Sequence, residues 1–354
     1  MTKQTDEQRS RSPGQDPVSR RAFLRAVRGS GPAAGHAIHP SSAPASAIDV
    51  YGRPAKADPA YGWATYTNPQ ITPQNALFVQ SYRPDFIPRV NAELGHLMLD
   101  GLVNMPIELS YTDIKRLPYS ERTHVLECGG NRLGGSLIGN ARWGGVPFPE
   151  LLSQVQVIPG VQRAVFYAAD GYSTALDLSI LQRDDALLAF AINGEALSPA
   201  HGYPLRLIVP GWYGFKMPKW ITRIRFIAGH YAGYWERRGW TTEMLRTRAT
   251  IHMPHHGATI RGTVAIQGIA VAGDGGINRV EVRVDRGAWM DAQLRLPDSP
   301  GGWTQWYVHW TPPASGGYLI EVRAHDRQSD VQGMHDGDDL HRIVLYADLP
   351  TDDD

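Results

Sequence analysis

Two stretches near the C-terminus alternate strictly between two sets of side chains, and they constrain the fold of that region more than any other feature. Val280, Val282 and Val284 are separated by charged residues, and Ile320 and Val322 lie in a second run of the same kind. A period of two places successive side chains on opposite faces of a strand, so each run predicts a half-buried β-strand. Glycine-rich turns separate such runs, which predicts a β-sandwich from about residue 250 to 348.

The preceding part of the chain has a different character. From Val161 to Phe226, short runs of Val, Ile, Leu and aromatic residues alternate with turns that contain Gly or Pro, and helix-like pieces lie among them. This pattern predicts a mixed α+β domain over residues 70–235, with its last strand at Thr222–Phe226. Tyr111–Leu117 has the mixed polarity of a connecting helix or turn. Tyr234–Arg248, rich in Trp and Arg, connects this domain to the sandwich.

Charge and cysteine content exclude several classes of protein. Lys plus Arg and Asp plus Glu both number 35, so no long-range attraction to nucleic acid or to an anionic membrane is indicated. No stretch approaches the roughly twenty apolar residues that span a bilayer. A single cysteine excludes an intramolecular disulfide, a tetracysteine zinc site and a Cys-x-x-Cys-His haem motif. A haem-carrying redox partner would therefore be a separate chain.

The first 48 residues are polar and rich in Pro, Ser, Ala and Gly, which predicts a disordered leader. The run Ser19–Arg25 resembles a twin-arginine export motif, and Ala45–Ala47 offers a small-residue cleavage site. Export by this route would place the protein in the periplasm or another extracytoplasmic space. Arg28, two histidines and two prolines interrupt the segment between motif and cleavage site, so the alternative is a cytoplasmic tail with a chance Arg-Arg pair.

The single cysteine, Cys128, follows an apolar stretch and precedes Gly129 and Gly130. Glycines at this point let the backbone turn sharply and let a bulky ligand approach closely. The sulfur is then placed to bond a metal or to act as a nucleophile. The alternative is that Cys128 is a small buried hydrophobic residue.

Two distant blocks of sequence carry a family resemblance. The first is Glu127–Arg132 with Ile138–Pro147, and the second is Asn193–Glu195 with His201–Gly211 and then Lys219-Trp220. Together they resemble the cofactor core of the sulfite oxidase family of molybdopterin-dependent oxidoreductases, in the family's order and spacing. The resemblance covers nearly everything from about residue 70 to 345. It implies a sulfite-oxidase-type domain followed by an immunoglobulin-like sandwich that forms a homodimer.

The resemblance also implies a role for each candidate site residue. Cys128 would be the protein's thiolate ligand to molybdenum, and a soft thiolate suits such a centre. Tyr172 matches the family's active-site tyrosine, although it is also explained as a core aromatic with a satisfied hydroxyl. The remaining residues would bind the molybdopterin: Phe78, Gln80, Tyr82, Asp170, His201, Arg206, Met217, Pro218 and Lys219. Arg206 stands within an apolar run, where a charge needs a partner.

The chain departs from the family pattern around the substrate. Gln80 and Tyr82 stand where the family commonly has an arginine and a histidine, and Leu133 stands where some members have a second arginine. A guanidinium offers two parallel donors to an oxyanion, so fewer arginines favour a neutral or larger substrate. The pocket is expected to be less cationic than a typical sulfite site unless Arg83, Arg142 or an arginine of the sandwich reaches it.

The functional expectation is an oxygen-atom transfer on a small sulfur compound, with electrons exchanged with a separate protein such as a c-type cytochrome. Sulfite oxidation is the first version and reduction of sulfoxides or related oxides is the second. Two rivals come from other classes. One is a non-catalytic binding protein on this scaffold, and the other is a hydrolase with Cys128 as nucleophile and His124 or His201 as base.

A second possible metal site is the histidine-rich segment Ile251–His256. Three nearby histidines can bind zinc or copper. No carboxylate or further ligand stands at diagnostic spacing, however, and a linker between domains is a common place for exposed histidines. We therefore expect linker histidines here rather than a metal centre.

Overall fold

A computed structural model describes residues 70–240, 244–273, 275–328, 330–334 and 339–350. The leader of residues 1–48, with its twin-arginine motif and cleavage site, lies outside the described residues. Among the helices that are described, none is long and apolar enough to cross a membrane.

The first domain contains two sheets that pack around short helices. One sheet has the order β2-β1-β10-β5-β6, and the other has the order β3-β4-β7-β8 with β9 paired to β7. Its strands are β1 (His96–Gly101), β2 (Ile107–Ser110), β3 (Ser120–Glu127), β4 (Ile138–Pro147), β5 (Arg163–Ala168), β6 (Ser173–Asp177), β7 (Leu187–Ile192), β8 (Glu195–Ala196), β9 (Arg206–Ile208) and β10 (Ile221–Ile227). Its helices are α1 (Tyr111–Arg116), α2 (Phe148–Val155) and α3 (Leu178–Leu181), with 3₁₀ turns at Gln74–Ala76, Pro199–His201, Gly214–Lys216 and Glu236–Arg238.

The local sequence explains where the helices begin. Ser110 caps α1: its hydroxyl accepts a hydrogen bond from the Asp113 backbone, and the Asp113 carboxylate accepts one from the Ser110 backbone, which forms a capping box. Helix α2 begins with a proline in its first turn and buries Phe148, Leu151 and Val155. These side chains join a core that also contains Leu97 of β1, Phe166 of β5 and Leu207 of β9.

The second domain is a β-sandwich. Its sheets have the orders β11-β13-β17-β16 and β12-β19-β18-β14-β15. The strands are β11 (Arg248–Met253), β12 (Thr259–Ile260), β13 (Val264–Val271), β14 (Ile277–Val284), β15 (Met290–Asp291), β16 (Gln293–Arg295), β17 (Thr304–Trp310), β18 (Gly316–Asp326) and β19 (His341–Ala347). The predicted α+β domain followed by a sandwich is confirmed.

The alternating runs form β14 and β18, which pair antiparallel with Val282 opposite Val322. Their apolar side chains fill the sandwich core as predicted. The opposite face differs from that of a simple half-buried strand, because Glu281 and Glu321 are only 2% and 3% exposed. Arginine side chains lie over both carboxylates and exclude water from them.

Residues 248–253 are a strand of the sandwich, so the interpretation of His252 as an exposed linker residue is wrong. Strand β11 pairs with β13, and the His252 ring contacts the Thr250 hydroxyl at 2.9 Å. Burial lowers the pKa of His252 to about 3, and the neighbouring His341 and His255 lower it further. Within the described ranges, no group of three or more His, Cys, Asp and Glu side chains is arranged to hold a metal ion.

Candidate active site

A cleft of about 730 Å³, part of it open to solvent, lies where the first domain meets the connection to the sandwich. Every site residue predicted from the sequence lines it: Phe78, Gln80, Tyr82, Cys128, Asp170, Tyr172, His201, Arg206, Met217, Pro218 and Lys219. These residues come from five separate segments of the chain. Long-range packing therefore brings the two sequence blocks together at one site.

Cys128 is presented by a tight turn at the end of β3. Its backbone N–H donates to the carbonyl of Leu137 at 3.0 Å, and its carbonyl accepts from the Asn131 N–H at 2.8 Å. The Gly130 N–H lies 3.4 Å from the sulfur. A Cβ at Gly129 would stand 2.5 Å from the Trp240 ring, so the close approach of the turn to that ring requires glycine.

The surroundings of Cys128 do not activate it as a nucleophile. Burial raises the pKa of its thiol, and the Gly130 N–H offsets this only in part. His124 does not line the cleft, and burial lowers the pKa of its ring to about 4. His201 does line the cleft, but its Nε2 is 3.0 Å from the carbonyl of Gln74. A bound metal cation is the kind of group that would convert such a thiol to a thiolate.

Three basic side chains, His201, Arg206 and Lys219, form the deep end of the cleft. Arg206 Nη1 donates to the carbonyl of His201 at 3.1 Å, and Lys219 Nζ donates to the carbonyl of Ala200 at 2.9 Å. Burial lowers the pKa of Arg206 to about 9. Burial and then the charge of Arg206 lower the pKa of Lys219 to about 7, and the same two causes lower that of His201 to about 4.

The two cations of this group, Arg206 and Lys219, are not paired with a carboxylate in the described residues, and Asp170 raises the pKa of Lys219 only against the larger effect of burial. Within the described part of the chain, neither Arg206 nor Lys219 has a carboxylate at ion-pair distance, and the buried Nε of Arg206 has no hydrogen-bond partner. Such an arrangement is unfavourable unless a ligand supplies the missing charge. Buried donors that face a cleft suit a phosphate group. The residues present therefore fit a phosphate-bearing pterin.

Asp170, Tyr172 and Tyr82 are linked to one another and to the backbone. The Tyr172 N–H donates to Asp170 Oδ1 at 3.0 Å, and the Tyr82 hydroxyl donates to the Asp170 carbonyl at 2.6 Å. The Tyr172 hydroxyl donates to the carbonyl of Phe215 at 2.6 Å. Burial raises the pKa of Tyr172 well above its ordinary value and also raises that of Asp170. Tyr172 is thus both a wall of the cleft and a buried aromatic with a satisfied hydroxyl.

Sequence reasoning missed an aromatic wall on the sandwich side of the cleft. Phe215, Trp235 and Trp240 line it, with ring centroids 5.3 Å apart for Phe215 and Trp240 and 4.7 Å apart for Trp235 and Trp240. Tyr234 extends the wall towards Tyr82, and the centroids of these two rings are 4.6 Å apart. The density of aromatics in residues 234–240 was the available signal, but it indicated only a connection between domains.

None of the arginines expected to supply positive charge to the substrate pocket, Arg83, Arg142 or one from the sandwich, is among the described residues that line the cleft. Arg142 is exposed and lies 3.8 Å from Glu121, away from the cleft. Arg83 is not among the lining residues, and its guanidinium lies 4.6 Å over the Phe86 ring. Arg238, which the sequence did not single out, is 3.6 Å over the Tyr234 ring and is not a lining residue. Its buried Nε has no hydrogen-bond partner in the part of the chain that the structure describes. Leu133 does not line the cleft.

Comparisons with known proteins agree with this geometry. Residues 86–235 match the family described as "Oxidoreductase molybdopterin binding domain", and residues 240–336 match the "Mo-co oxidoreductase dimerisation domain". The solved structure of the sulfane dehydrogenase SoxCD from Paracoccus pantotrophus is similar, with a TM-score of 0.67 and 25% identity over 79% of this chain and 84% of that one.

Curated relatives are similar in sequence. The mitochondrial sulfite oxidase of Drosophila melanogaster is 28% identical over 72% of this chain and 52% of its own length, so the chain spans about half of that relative. The sulfite oxidase of Arabidopsis thaliana is 29% identical over 63% of this chain and 70% of its own length. The uncharacterized oxidoreductase YuiH of Bacillus subtilis is 34% identical over 41% of this chain and 71% of its own length.

Proposed function

Because this chain belongs to the sulfite oxidase family of molybdopterin-dependent oxidoreductases, we propose that it oxidises sulfite to sulfate and passes the electrons to a separate c-type cytochrome. The reaction consumes sulfite and water and releases sulfate, two protons and two electrons. The observation that carries the proposal is the cleft itself, in which Cys128 and an uncompensated cationic group face one space. When bound, the molybdenum cofactor supplies oxygen-atom transfer and takes up the electron pair.

The chain's own residues have separate tasks in this proposal. Cys128 supplies the thiolate ligand. Arg206 and Lys219 hold the pterin phosphate, and their depressed pKa values rise again when that dianion is bound. Asp170 and the backbone of Met217 and Pro218 complete the pterin pocket, next to Phe78, Gln80 and Tyr82. Tyr172 lines the cleft and, through its hydrogen bond to Phe215, keeps the aromatic wall in place.

In this proposal, sulfite recognition falls to two arginines that neighbour the lining residues, Arg238 through Tyr234 and Arg83 next to Tyr82. Arg238 has a buried N–H without a partner and a planar guanidinium held by stacking on Tyr234, and such a fork matches an oxyanion. Arg83 directly follows Tyr82 in the chain. In this proposal these two side chains compensate for the uncharged Gln80 and Tyr82.

The proposal is tested by metal analysis combined with turnover. We expect about one molybdenum per chain after expression in a cofactor-competent host, and saturable sulfite-dependent reduction of a c-type cytochrome. Arg238→Gln should raise KM for sulfite roughly tenfold or more, since a hydrogen bond to a charged group contributes about 1.5–3 kcal/mol. Arg142→Gln is the matched control and should leave KM unchanged. Protein without molybdenum would instead support the non-catalytic binding protein.

A second candidate function is reduction of sulfoxides. The observation that favours it is the aromatic wall of Phe215, Trp235 and Trp240, which offers apolar contact to a neutral organic sulfur compound. Sulfoxide reduction by a dye donor, with no sulfite turnover in the same molybdenum-loaded sample, would decide for this candidate.

Dimerisation and location complete the proposal. The family match to a dimerisation domain supports a homodimer through the sandwich, and a monomeric mass in solution would refute it. The twin-arginine run supports export to the periplasm. Replacing Arg20 and Arg21 by lysine should retain the protein in the cytoplasm, and unchanged fractionation would contradict export.

A further inference from the structure

A buried ion pair joins the two domains directly behind Cys128. Glu127, the preceding residue, is 0% exposed. Its carboxylate pairs with the guanidinium of Arg248, whose side chain is 14% exposed. Arg248 is the first residue of β11 and pairs with Val271 of β13, so it belongs to the sandwich. A buried ion pair is weak as a source of stability, because desolvation offsets most of the attraction.

The Glu127 carboxylate is connected to both sides of the Cys128 turn. Asn131 Nδ2 donates to Glu127 Oε1 at 2.7 Å, and Asn131 Oδ1 accepts from the Leu137 N–H at 3.0 Å. Leu137 in turn accepts from the Cys128 N–H at 3.0 Å. Two side chains, Glu127 and Asn131, thus connect the guanidinium of Arg248 to the backbone that orients the Cys128 sulfur.

The sandwich also supports the strand that leads to the turn. The N–H of Val125 donates to the carbonyl of Gly301 at 2.9 Å. A Cβ at Gly134, in the loop after the turn, would stand 2.4 Å from Nε2 of His341 on β19. Residues before, at and after Cys128 therefore rest on the second domain.

We propose that Arg248 is a positioning residue of the active site: through Glu127 and Asn131 it fixes the direction of the Cys128 sulfur, so that the sandwich sets the geometry of the thiolate bond to the metal. The proposal rests on the role of Cys128 as metal ligand in the proposed function. Removing the guanidinium leaves Glu127 with a buried, unpaired charge. Asn131 then loses its fixed acceptor, and the turn relaxes.

The test uses the full-length, cofactor-loaded protein with Arg248→Gln. We expect a shifted thiolate-to-metal absorption band and an altered electron paramagnetic resonance signal after one-electron reduction. Amide hydrogen exchange at Cys128 and Leu137 should be faster. Turnover should fall about 10–100-fold, the usual effect of losing a residue that orients a ligand, with KM for sulfite little changed. Arg248→Lys keeps the charge and should restore most of the band.

The matched control is Arg283→Gln, which removes an arginine from the similarly buried Glu321 on the other sheet of the sandwich. It should lower stability without moving the absorption band. If Arg248→Gln lowers stability to a similar extent and leaves the band, the resonance signal and the turn amides unchanged, Arg248 is only structural and the proposal is overturned. Should Arg248→Gln fail to fold, Glu127→Gln removes the same ion pair with an isosteric side chain, and the same readouts decide.

Cys128→Ser separates this proposal from its premise. Loss of the band and of turnover with pterin retained supports Cys128 as ligand, and an unchanged band in Arg248→Gln then overturns only the positioning role. A band that survives Cys128→Ser would overturn the ligand assignment and the positioning role together.

Discussion

The cleft and the outer face of the sandwich both bury charge, but they balance it in opposite ways. On the sandwich, Glu281 is contacted by Arg279, Arg323 and His325, and Glu321 is contacted by two further arginines. Each of these carboxylates is matched within the protein. The partners lower the pKa of both carboxyls against the opposing effect of burial.

In the cleft, by contrast, the buried cations Arg206 and Lys219 are not matched by a carboxylate at ion-pair distance among the described residues, and Asp170 acts on Lys219 only from farther away. Burial is the largest cause of the lowered pKa of Arg206 and of Lys219. The protein keeps these cations at a cost to the fold, which is typical of a site that is completed by a ligand. Buried charges that are matched within the chain stabilise it, whereas unmatched ones indicate what it binds.

The largest expected effect comes from removing an unmatched cation. Arg206→Met should lower cofactor occupancy at least roughly tenfold, since a hydrogen bond to a charged group contributes about 1.5–3 kcal/mol. The cofactor-free protein should be as stable as the wild type or more so, because an apolar side chain replaces an uncompensated charge. Pterin and molybdenum content, with thermal unfolding of the cofactor-free form, are the measurements. Strong destabilisation of the cofactor-free form would contradict the view that the unmatched cations of the cleft cost the fold stability.

The cost in stability of the buried Lys219 cation should depend on pH. Its pKa is about 7 in the fold against about 10.5 when unfolded, so between these values the unfolded chain binds more protons and stability rises with pH. Below pH 7, Lys219 is protonated in both the folded and the unfolded chain, so the full cost of burying its charge lowers the stability of the fold. Relative to Lys219→Met, the cofactor-free protein should gain roughly a few kcal/mol between pH 7 and 10. Chemical denaturation across this range measures the gain. If the difference in stability between the wild type and Lys219→Met did not change with pH, Lys219 would be solvated or paired.

Removing a matched anion should have a smaller effect that does not depend on the cofactor. Glu321→Gln should destabilise the protein by about 1.5–3 kcal/mol, the usual loss for hydrogen bonds to a charged group. Arg342 is half exposed and can turn to solvent, which limits the loss. Cofactor content and turnover should not change. Unfolding of the loaded and cofactor-free forms checks both points, and a fall in cofactor content would link this face to the site.

Much of this organisation could be predicted from the sequence. The alternating valines of β14 predicted the sandwich because side-chain direction follows a period of two. The blocks around Cys128 and His201 predicted which loops meet, through the family resemblance.

The aromatic wall and the arginines could not be predicted in the same way. Trp240 and Arg238 lie in a connection whose path depends on how the two domains pack, and no local pattern encodes that. The same holds for Arg248, since nothing in its neighbours on β11 indicates that it reaches Glu127 in another domain. The burial of Glu281 also depends on cross-strand arginines rather than on its own strand.

The smallest effect is expected where a matched pair is exposed to solvent. Arg261 and Asp348 lie 3.2 Å apart at the edge of the sandwich, with side chains 79% and 60% exposed. Water screens such a pair, and ordering two side chains costs entropy, so Arg261→Gln should change stability by less than about 0.5 kcal/mol. Thermal unfolding of Arg261→Gln and Glu321→Gln compares the stability lost from an exposed pair with that lost from a buried pair in the same domain. If both variants lost the same stability, burial would not decide the value of a matched charge, and the contrast between sandwich and cleft would rest on pairing alone.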